Sequence, residues 1–420
     1  MADSPSPARR ARLNVECLED RTVPAFLTRP GGTINVNGVR QAAVGLSIAS
    51  GDLIADQFTL PGQVRNEYVT GTGPGTAARV NVFSSNGLNQ AGQGLPVVSF
   101  DPYPGFNFTG GINVAVGDVL GDARLEIVVT PASNAPGFVT VYDASGNLLS
   151  VFLATPAAYT GGLTVAVGNV LGGIAAGGFA GGTTSGQFKQ EIIVGTATQF
   201  DFVGVFDAFG GMQRSFLAFG GARTGVNLAA ATIDSTRVPG YVVGSGDPDT
   251  NAFDEIIVGA NSVAPAVAVY SVDTAPTLRR FFFAFDQFAG RGVTVAAGSS
   301  DGLRGAEIYT NLLGTSRLRV HNGESVTLRG EITVFPPDYT GVLNIALGQF
   351  GGFFGFGASY DPRDDDAFPP MMMGPMVDGN PAFLNLDLAI VTGDGPAFQA
   401  PRFYRGSPGF FNIPAPFNGP

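Results

Sequence analysis

The chain has 420 residues, 44% of them hydrophobic and 14% charged, and a formal net charge of −11. That acidity argues against nucleic acid and anionic membrane as partners, because phosphate binding needs clustered Lys and Arg. The 61 glycines and 29 prolines argue against a helical bundle and suit many short strands joined by tight turns.

The single cysteine, Cys17, excludes an intramolecular disulfide and any multi-Cys metal site. His321 is the single histidine, so a His-rich zinc site is excluded as well. No apolar run approaches the length of a membrane-spanning helix, and none is expected. A monomer is expected.

Residues 1–24 differ from the rest of the chain. The run Arg9-Arg10-Ala-Arg12-Leu-Asn-Val-Glu16-Cys17 has a basic start but no apolar core, unlike an ordinary secretory signal. Leu18-Glu19-Asp20-Arg21-Thr-Val-Pro24 resembles the Leu-Glu-x-Arg-x-x-Pro leader of many large surface or exported planctomycete proteins. The resemblance implies export or envelope association. A disordered basic N-terminus is the other reading.

From residue 25 onward the sequence repeats itself, and the repeat is its strongest feature. A first element recurs as Gly45-Leu-Ser-Ile-Ala-Ser-Gly51, Gly111-Ile-Asn-Val-Ala-Val-Gly117 and Gly162-Leu-Thr-Val-Ala-Val-Gly168. It returns as Gly225-Val-Asn-Leu-Ala-Ala-Ala231, Gly292-Val-Thr-Val-Ala-Ala-Gly298 and Gly341-Val-Leu-Asn-Ile-Ala-Leu-Gly348. A second element follows each, with an acid just before an apolar run: Glu67, Glu126, Glu191, Glu255, Glu307 and Asp387. A third reads Val-x-Val-Phe/Tyr, as in Val139-Thr-Val-Tyr142 and Val203-Gly-Val-Phe206. A fourth is rich in aromatics, as in Arg280-Phe-Phe-Phe-Ala-Phe285.

Four strands per unit, six times over, predict an all-β fold over residues 25–420: a six-bladed β-propeller of four-stranded antiparallel blades. Seven blades is the alternative, with Phe26 to Val39 as a partial blade. That stretch otherwise closes the ring with Phe410-Phe411-Asn-Ile-Pro414. Continuous apolar runs in the first two strands fit sheets covered on both faces. Aromatics on the outer strands are expected to fill the widening gap between blades. The uneven spacing places insertions between first and second strands, and a further one at Phe350 to Asn385.

The repeat resembles the FG-GAP, or VCBS, family, which includes the propeller head of integrin α chains; the resemblance spans Val44 to Phe417. It implies calcium in the turn between first and second strands, where the family often reads Asp-x-Asp/Asn-x-Asp-Gly-x-x-Asp. Calcium takes about six to eight oxygens, and acids at alternate loop positions converge on one point. The best copy is Asp247-Pro-Asp249-Thr-Asn251-Ala-Phe-Asp-Glu255, with Ala252 where the family has glycine. A second copy keeps Asp118, Asp122 and Glu126, and a third keeps Ser299, Asp301 and Glu307. The competing reading of each is an Asx-turn that satisfies its own backbone. In the copies that have lost the pattern, the last acid is expected to accept turn N–H groups. Asp361 and Asp364 to Asp366 read as a solvated loop.

No nucleophile–base pair and no phosphate-binding loop stands out, and His321 occupies a third-strand position that is Phe or Tyr in other copies. The expected function is therefore a non-enzymatic binding or adhesion module, secreted or in the cell envelope. Calcium would stabilise it, and its ligand would be a protein or a polysaccharide. The alternatives are a polysaccharide-active enzyme on a propeller and a purely structural surface component.

Overall fold

The computed structural model describes residues 33–36, 39–42, 47–54, 67–83, 96–122, 124–172, 189–234, 253–298, 305–333, 343–348, 387–392 and 402–405. They form strands only. A hairpin, β1 (Thr33–Val36) and β2 (Val39–Ala42), precedes the repeats and pairs with itself alone. Blade one is β3 (Ser47–Gly51), β4 (Glu67–Gly71), β5 (Val80–Phe83) and β6 (Val98–Phe100). Blade two is β7 (Ile112–Gly117), β8 (Glu126–Pro131), β9 (Phe138–Tyr142) and β10 (Leu148–Leu153). Blade three is β11 (Leu163–Gly168), β12 (Glu191–Thr196), β13 (Phe202–Phe206) and β14 (Met212–Leu217). Blade four is β15 (Val226–Ala231), β16 (Glu255–Ala260), β17 (Ala266–Ser271) and β18 (Thr277–Phe283). Blade five is β19 (Val293–Gly298), β20 (Glu307–Leu312), β21 (Arg317–Asn322) and β22 (Leu328–Thr333). A last sheet has three strands: β23 (Leu343–Gly348), β24 (Asp387–Thr392) and β25 (Arg402–Arg405).

This corrects the expected blade count. The protein is a five-bladed propeller, not one of six or seven blades, since among the described residues five sheets have four strands. Among the described residues the sixth repeat copy supplies the three-stranded sheet. The Gly-x-x-x-Ala signature marks an innermost strand, and an innermost strand does not guarantee three partners. The seventh-blade alternative is overturned too, because β1 and β2 join no other sheet among the described residues. Residues 26–32 and 410–414 lie outside the described residues.

Every sheet is antiparallel in sequence order, and the innermost strands sit side by side: β3 on β7, then β11, β15 and β19. β23 lies between β19 and β3, so the three-stranded sheet completes the circle. At that seam Ser50 Oγ donates to the Leu347 carbonyl. The second strands are buried along their whole length, as β-branched runs covered on both faces must be. The fourth strands alternate exposed and half-buried, which marks the rim.

The core lies between blades, not inside them. Val69, Val80 and Val82 of blade one meet Ile112, Val114, Ile127 and Val129 of blade two in one cluster. Equivalent clusters fill the seams of blades two and three, three and four, and four and five. Burying each such side chain contributes roughly 1.5–3 kcal/mol, and no single blade could hide both of its faces alone.

Two repeated devices fix the seams. Near the axis, in β3, β7, β11, β15 and β19 the residue four before the end of the strand reaches the next innermost strand. Ser47 Oγ donates to the Ile112 carbonyl at 2.8 Å and Asn113 Nδ2 to that of Leu163 at 2.7 Å. Thr164 Oγ1 reaches Val226 at 3.0 Å, Asn227 Nδ2 reaches Val293 at 2.8 Å and Thr294 Oγ1 reaches Leu343 at 3.0 Å. Toward the rim, an aromatic of one blade's fourth strand packs on the ring at or next to the end of the next blade's third strand. The pairs are Phe100–Tyr142 (4.7 Å between centroids), Phe152–Phe206 (5.5 Å), Phe216–Tyr270 (4.5 Å) and Phe282–His321 (5.0 Å). His321 thus stands in an aromatic seam, where burial lowers its pKa to about 4 and leaves the imidazole neutral.

Candidate functional site

Because strands alternate in direction, the loops segregate to two ends of the ring. The turns from first to second and third to fourth strand share one end, termed here the corner face. The loops from second to third strand, and from each blade to the next, share the other, the loop face.

The corner face holds the acids predicted from the repeat. In blade one the buried Glu67 Oε2 accepts the N–H groups of Leu53 and Ile54, both at 3.0 Å. Glu126 Oε2 accepts those of Val119 (2.9 Å) and Leu120 (3.2 Å) in blade two. Glu191 takes Val170 and Leu171, and Glu255 takes Ile233 and Asp234, at 2.9 to 3.1 Å. The role expected for the degenerate copies therefore extends to the copies with the fuller calcium pattern. In blade five the buried Glu307 pairs with Arg329 Nη1 at 2.5 Å.

Of the predicted metal ligands, the structure brings Asp118, Asp122 and Glu126 into one turn. Asp118 Oδ1 accepts the N–H of Gly121 (2.6 Å) and Asp122 (3.1 Å), which is the Asx-turn arrangement. Its own N–H donates to Gln190 Oε1 of the next blade at 2.8 Å. Asn169 repeats the pattern, accepting from Gly172 and donating to Asp254 Oδ2 at 2.7 Å. Burial raises the Glu126 carboxyl to about 7; the N–H groups of Leu120 and Val119 oppose the shift, and the charges of Asp118 and Asp122 add to it. Glu191 is raised to about 7 for the same primary reason, burial. Glu255 and Glu307 are in place, whereas Asp247, Asp249, Asn251, Ser299 and Asp301 lie outside the described residues. Among the described residues no three His, Cys, Asp or Glu side chains converge as a ready metal site. The blade-two oxygens are engaged with turn N–H groups, so this corner is not a preformed cage. Its crowded carboxylates nonetheless have the chemistry that a divalent cation relieves.

The faces differ in charge. Among the described residues the corner face carries Asp52, Asp118, Asp122, Asp143, Asp207, Asp234, Asp254, Asp273 and Glu324, and its cations are Arg124, Lys189, Arg214, Arg279, Arg280 and Arg329, with Arg280 paired to Asp234 and Arg329 to Glu307. At the loop face the described charges are Arg79, Arg223, Arg291, Arg317 and Arg319 against Asp101, Asp286 and Glu331, with Asp201 buried. This face also displays Phe106, 81% exposed, and Phe288, 84% exposed. Phe200 and Val263 are exposed there too. No motif pointed to this surface. Its residues come from loops of every blade, and only strand direction collects them at one end.

No family model matches the chain. No curated protein matches it. Among solved structures it is similar to Sqt1 of Saccharomyces cerevisiae, at 11% identity and a TM-score of 0.38, covering 79% of this chain and 66% of that one. It is similar to the V. cholerae biofilm matrix protein Bap1 at 15% identity and a TM-score of 0.37, covering 75% and 44%. The Dos1 propeller shares 12% identity at a TM-score of 0.37, covering 83% and 66%. The chain spans less than two thirds of the length of each. The assignment of this chain as a β-propeller rests on its own strand order and pairing.

Proposed function

We propose that the chain is a non-enzymatic binding module, exported or held at the cell surface, whose loop face contacts a protein or polysaccharide. One observation carries the reading: a ring fixed at every described seam presents Phe106, Phe200, Val263 and Phe288 exposed at one end. A large exposed apolar side chain is tolerated singly, but several on one face mark a contact surface. The resemblance of Leu18 to Pro24 to an export leader supports the location, and the FG-GAP-like repeat supports an adhesive role.

Calcium belongs to this reading at the first-to-second-strand corners, with Asp118, Asp122 and Glu126 as its ligands in blade two. Asp247, Asp249, Asn251 and Glu255 are the set in blade four, and Ser299, Asp301 and Glu307 in blade five. A bound cation would neutralise the repulsion among these acids and hold the turn, adding stability by mass action.

The test is sedimentation of the pure protein with isolated cell envelopes, alongside its melting temperature in millimolar calcium and in EDTA. Saturable co-sedimentation is expected. Calcium is expected to raise the melting point by several degrees at about pH 8 and hardly at about pH 5. Glu126, raised above its unfolded value, favours its proton until pH passes about 7, and a proton must leave before a metal binds. Protein that stays in the supernatant at every concentration contradicts the binding reading. Identical melting at both pH values, with and without calcium, contradicts the metal.

A further inference from the structure

The fourth strand of each blade ends its sheet, so its outer backbone groups have no ladder partner among the described residues. An open edge of this kind invites a further strand, and proteins commonly discourage it with charged side chains. Blade three carries Arg214 on this strand, blade four Arg279 and Arg280, and blade five Arg329 and Glu331. Blade two carries Leu148-Leu-Ser-Val-Phe-Leu153, with no charge, glycine or proline. Strand β6 of blade one is uncharged too, but it is three residues long and half-buried. The long edge of β10 is unprotected.

The lack of charge extends past the strand. No charged residue occurs between Asp143 and Lys189, the longest such stretch in the chain. The exposed residues flanking β10 are Ser145 and Asn147 before it and Pro156, Ala157 and Ala158 after it. Depletion of charge distinguishes the core of a protein–protein contact from ordinary surface.

Backbone and side chains offer the same residues to a partner. The Ala154 N–H donates to the Gly137 carbonyl at 2.9 Å, toward β9. Backbone groups alternate in direction along a strand, so those of Val151 and Leu153 point out of the open edge. Leu149, Val151 and Leu153 are exposed, while Phe152 packs inward on Phe206 of blade three.

The order of these residues names the occupant. Leu149-Ser-Val151-Phe-Leu153 reads aliphatic, Val, aliphatic in both directions. A two-fold contact uses one patch twice and must therefore complement itself. With Val151 opposite its own counterpart, Leu149 of each copy faces Leu153 of the other on one side of the joined sheet. The antiparallel arrangement also sets the two copies of Asp143 at opposite ends of the contact, whereas a parallel one would bring them together.

We infer that the chain forms a two-fold dimer in which β10 pairs antiparallel with β10 of a second copy, joining two blades into one sheet centred on Val151. The dimer is independent of the loop face, so its failure would leave the binding reading untouched.

The test is sedimentation equilibrium of the full chain across micromolar concentrations, where a monomer–dimer equilibrium is expected. Val151→Lys is expected to weaken the dimer roughly tenfold or more, because like charges would then face each other across the axis. Leu217→Lys, on the exposed rim of blade three, is expected to leave it unchanged. Val151→Cys in a Cys17→Ser background gives a second readout. Hydrogen-bonded antiparallel partners have Cα atoms about 5.5 Å apart, within disulfide range, so oxidised glutathione is expected to link the two copies. Leu217→Cys in the same background is expected to stay unlinked. Unaltered circular dichroism would show that each variant folds. A monomer at every concentration, larger open assemblies, or a dimer that tolerates Val151→Lys and resists the Val151→Cys link would overturn the inference.

Discussion

Replacing Gly162 with alanine is expected to cost more than about 4 kcal/mol and to leave little folded protein at ordinary temperature. Gly162 has φ +85°, a region that costs an L-residue about 1–2 kcal/mol. The larger cost is contact, since an added Cβ would lie 1.8 Å from the Ala132 carbonyl oxygen. That carbonyl belongs to the neighbouring blade's loop, and blade three cannot move away without opening the seam. Gly220 gives the matched control. Its φ is +70°, but nothing lies within 4 Å of an added Cβ. Gly220→Ala is expected to cost only about 1 kcal/mol. Urea midpoints of the two variants check this, and equal losses would show that backbone conformation, not inter-blade contact, dominates.

Phe206→Ala is expected to destabilise by about 4 kcal/mol. Phe206 is 1% exposed and packs on Phe152 across the seam of blades two and three. Truncation would leave a cavity walled by two sheets that cannot collapse independently. The repeat itself suggests a tolerated change. Tyr142 and Tyr270, at the same position, donate their hydroxyls to the carbonyls of Pro102 (2.5 Å) and Ala218 (2.8 Å). Each acceptor lies two residues beyond the stacked aromatic of the preceding blade; for Phe206 that residue is Ala154. Phe206→Tyr is therefore expected to stay within about 1 kcal/mol of the parent. Denaturant titration of both variants decides it, and comparable losses for Tyr and Ala would contradict the equivalence of the seams. In blade five, where His321 replaces the tyrosine, Arg319 Nη1 reaches the corresponding Ala284 carbonyl at 2.7 Å.

Much of this architecture was legible in the sequence, and the reason is local. The first strand must be small where inner strands converge, so Gly and Ala recur at fixed offsets. The second strand is covered on both sides, so it reads Ile-Ile-Val without polar interruption. The outer aromatics announced the rim seams, and His321 was placed correctly as a member of that series. The polar residue that links neighbouring inner strands was equally visible as Ser47, Asn113, Thr164, Asn227 and Thr294. Its role emerges only once those strands are known to lie side by side. Blade number was not legible, because counting innermost strands says nothing about whether a fourth strand completes each sheet. The corner acids were found by pattern, but pattern alone did not distinguish metal ligation from capping of turn N–H groups. Glu67 and Glu126 show why: one acid position serves the turn whether or not the loop keeps other oxygen donors. The loop face left no trace in any motif, since Phe106, Phe200 and Phe288 come from unrelated stretches.

The central claim is closure of the ring, with the first blade packed on the three-stranded sheet near the end of the chain. A variant with Cys17→Ser, Ser50→Cys and Leu347→Cys carries a single cysteine pair, at positions 297 residues apart. Treated with a short bismaleimide, it is predicted to give an intramolecular cross-link in nearly every molecule and a higher melting temperature. Two separately labelled thiols, or cross-linked dimers alone, would show that these strands are not neighbours and would contradict the closed ring.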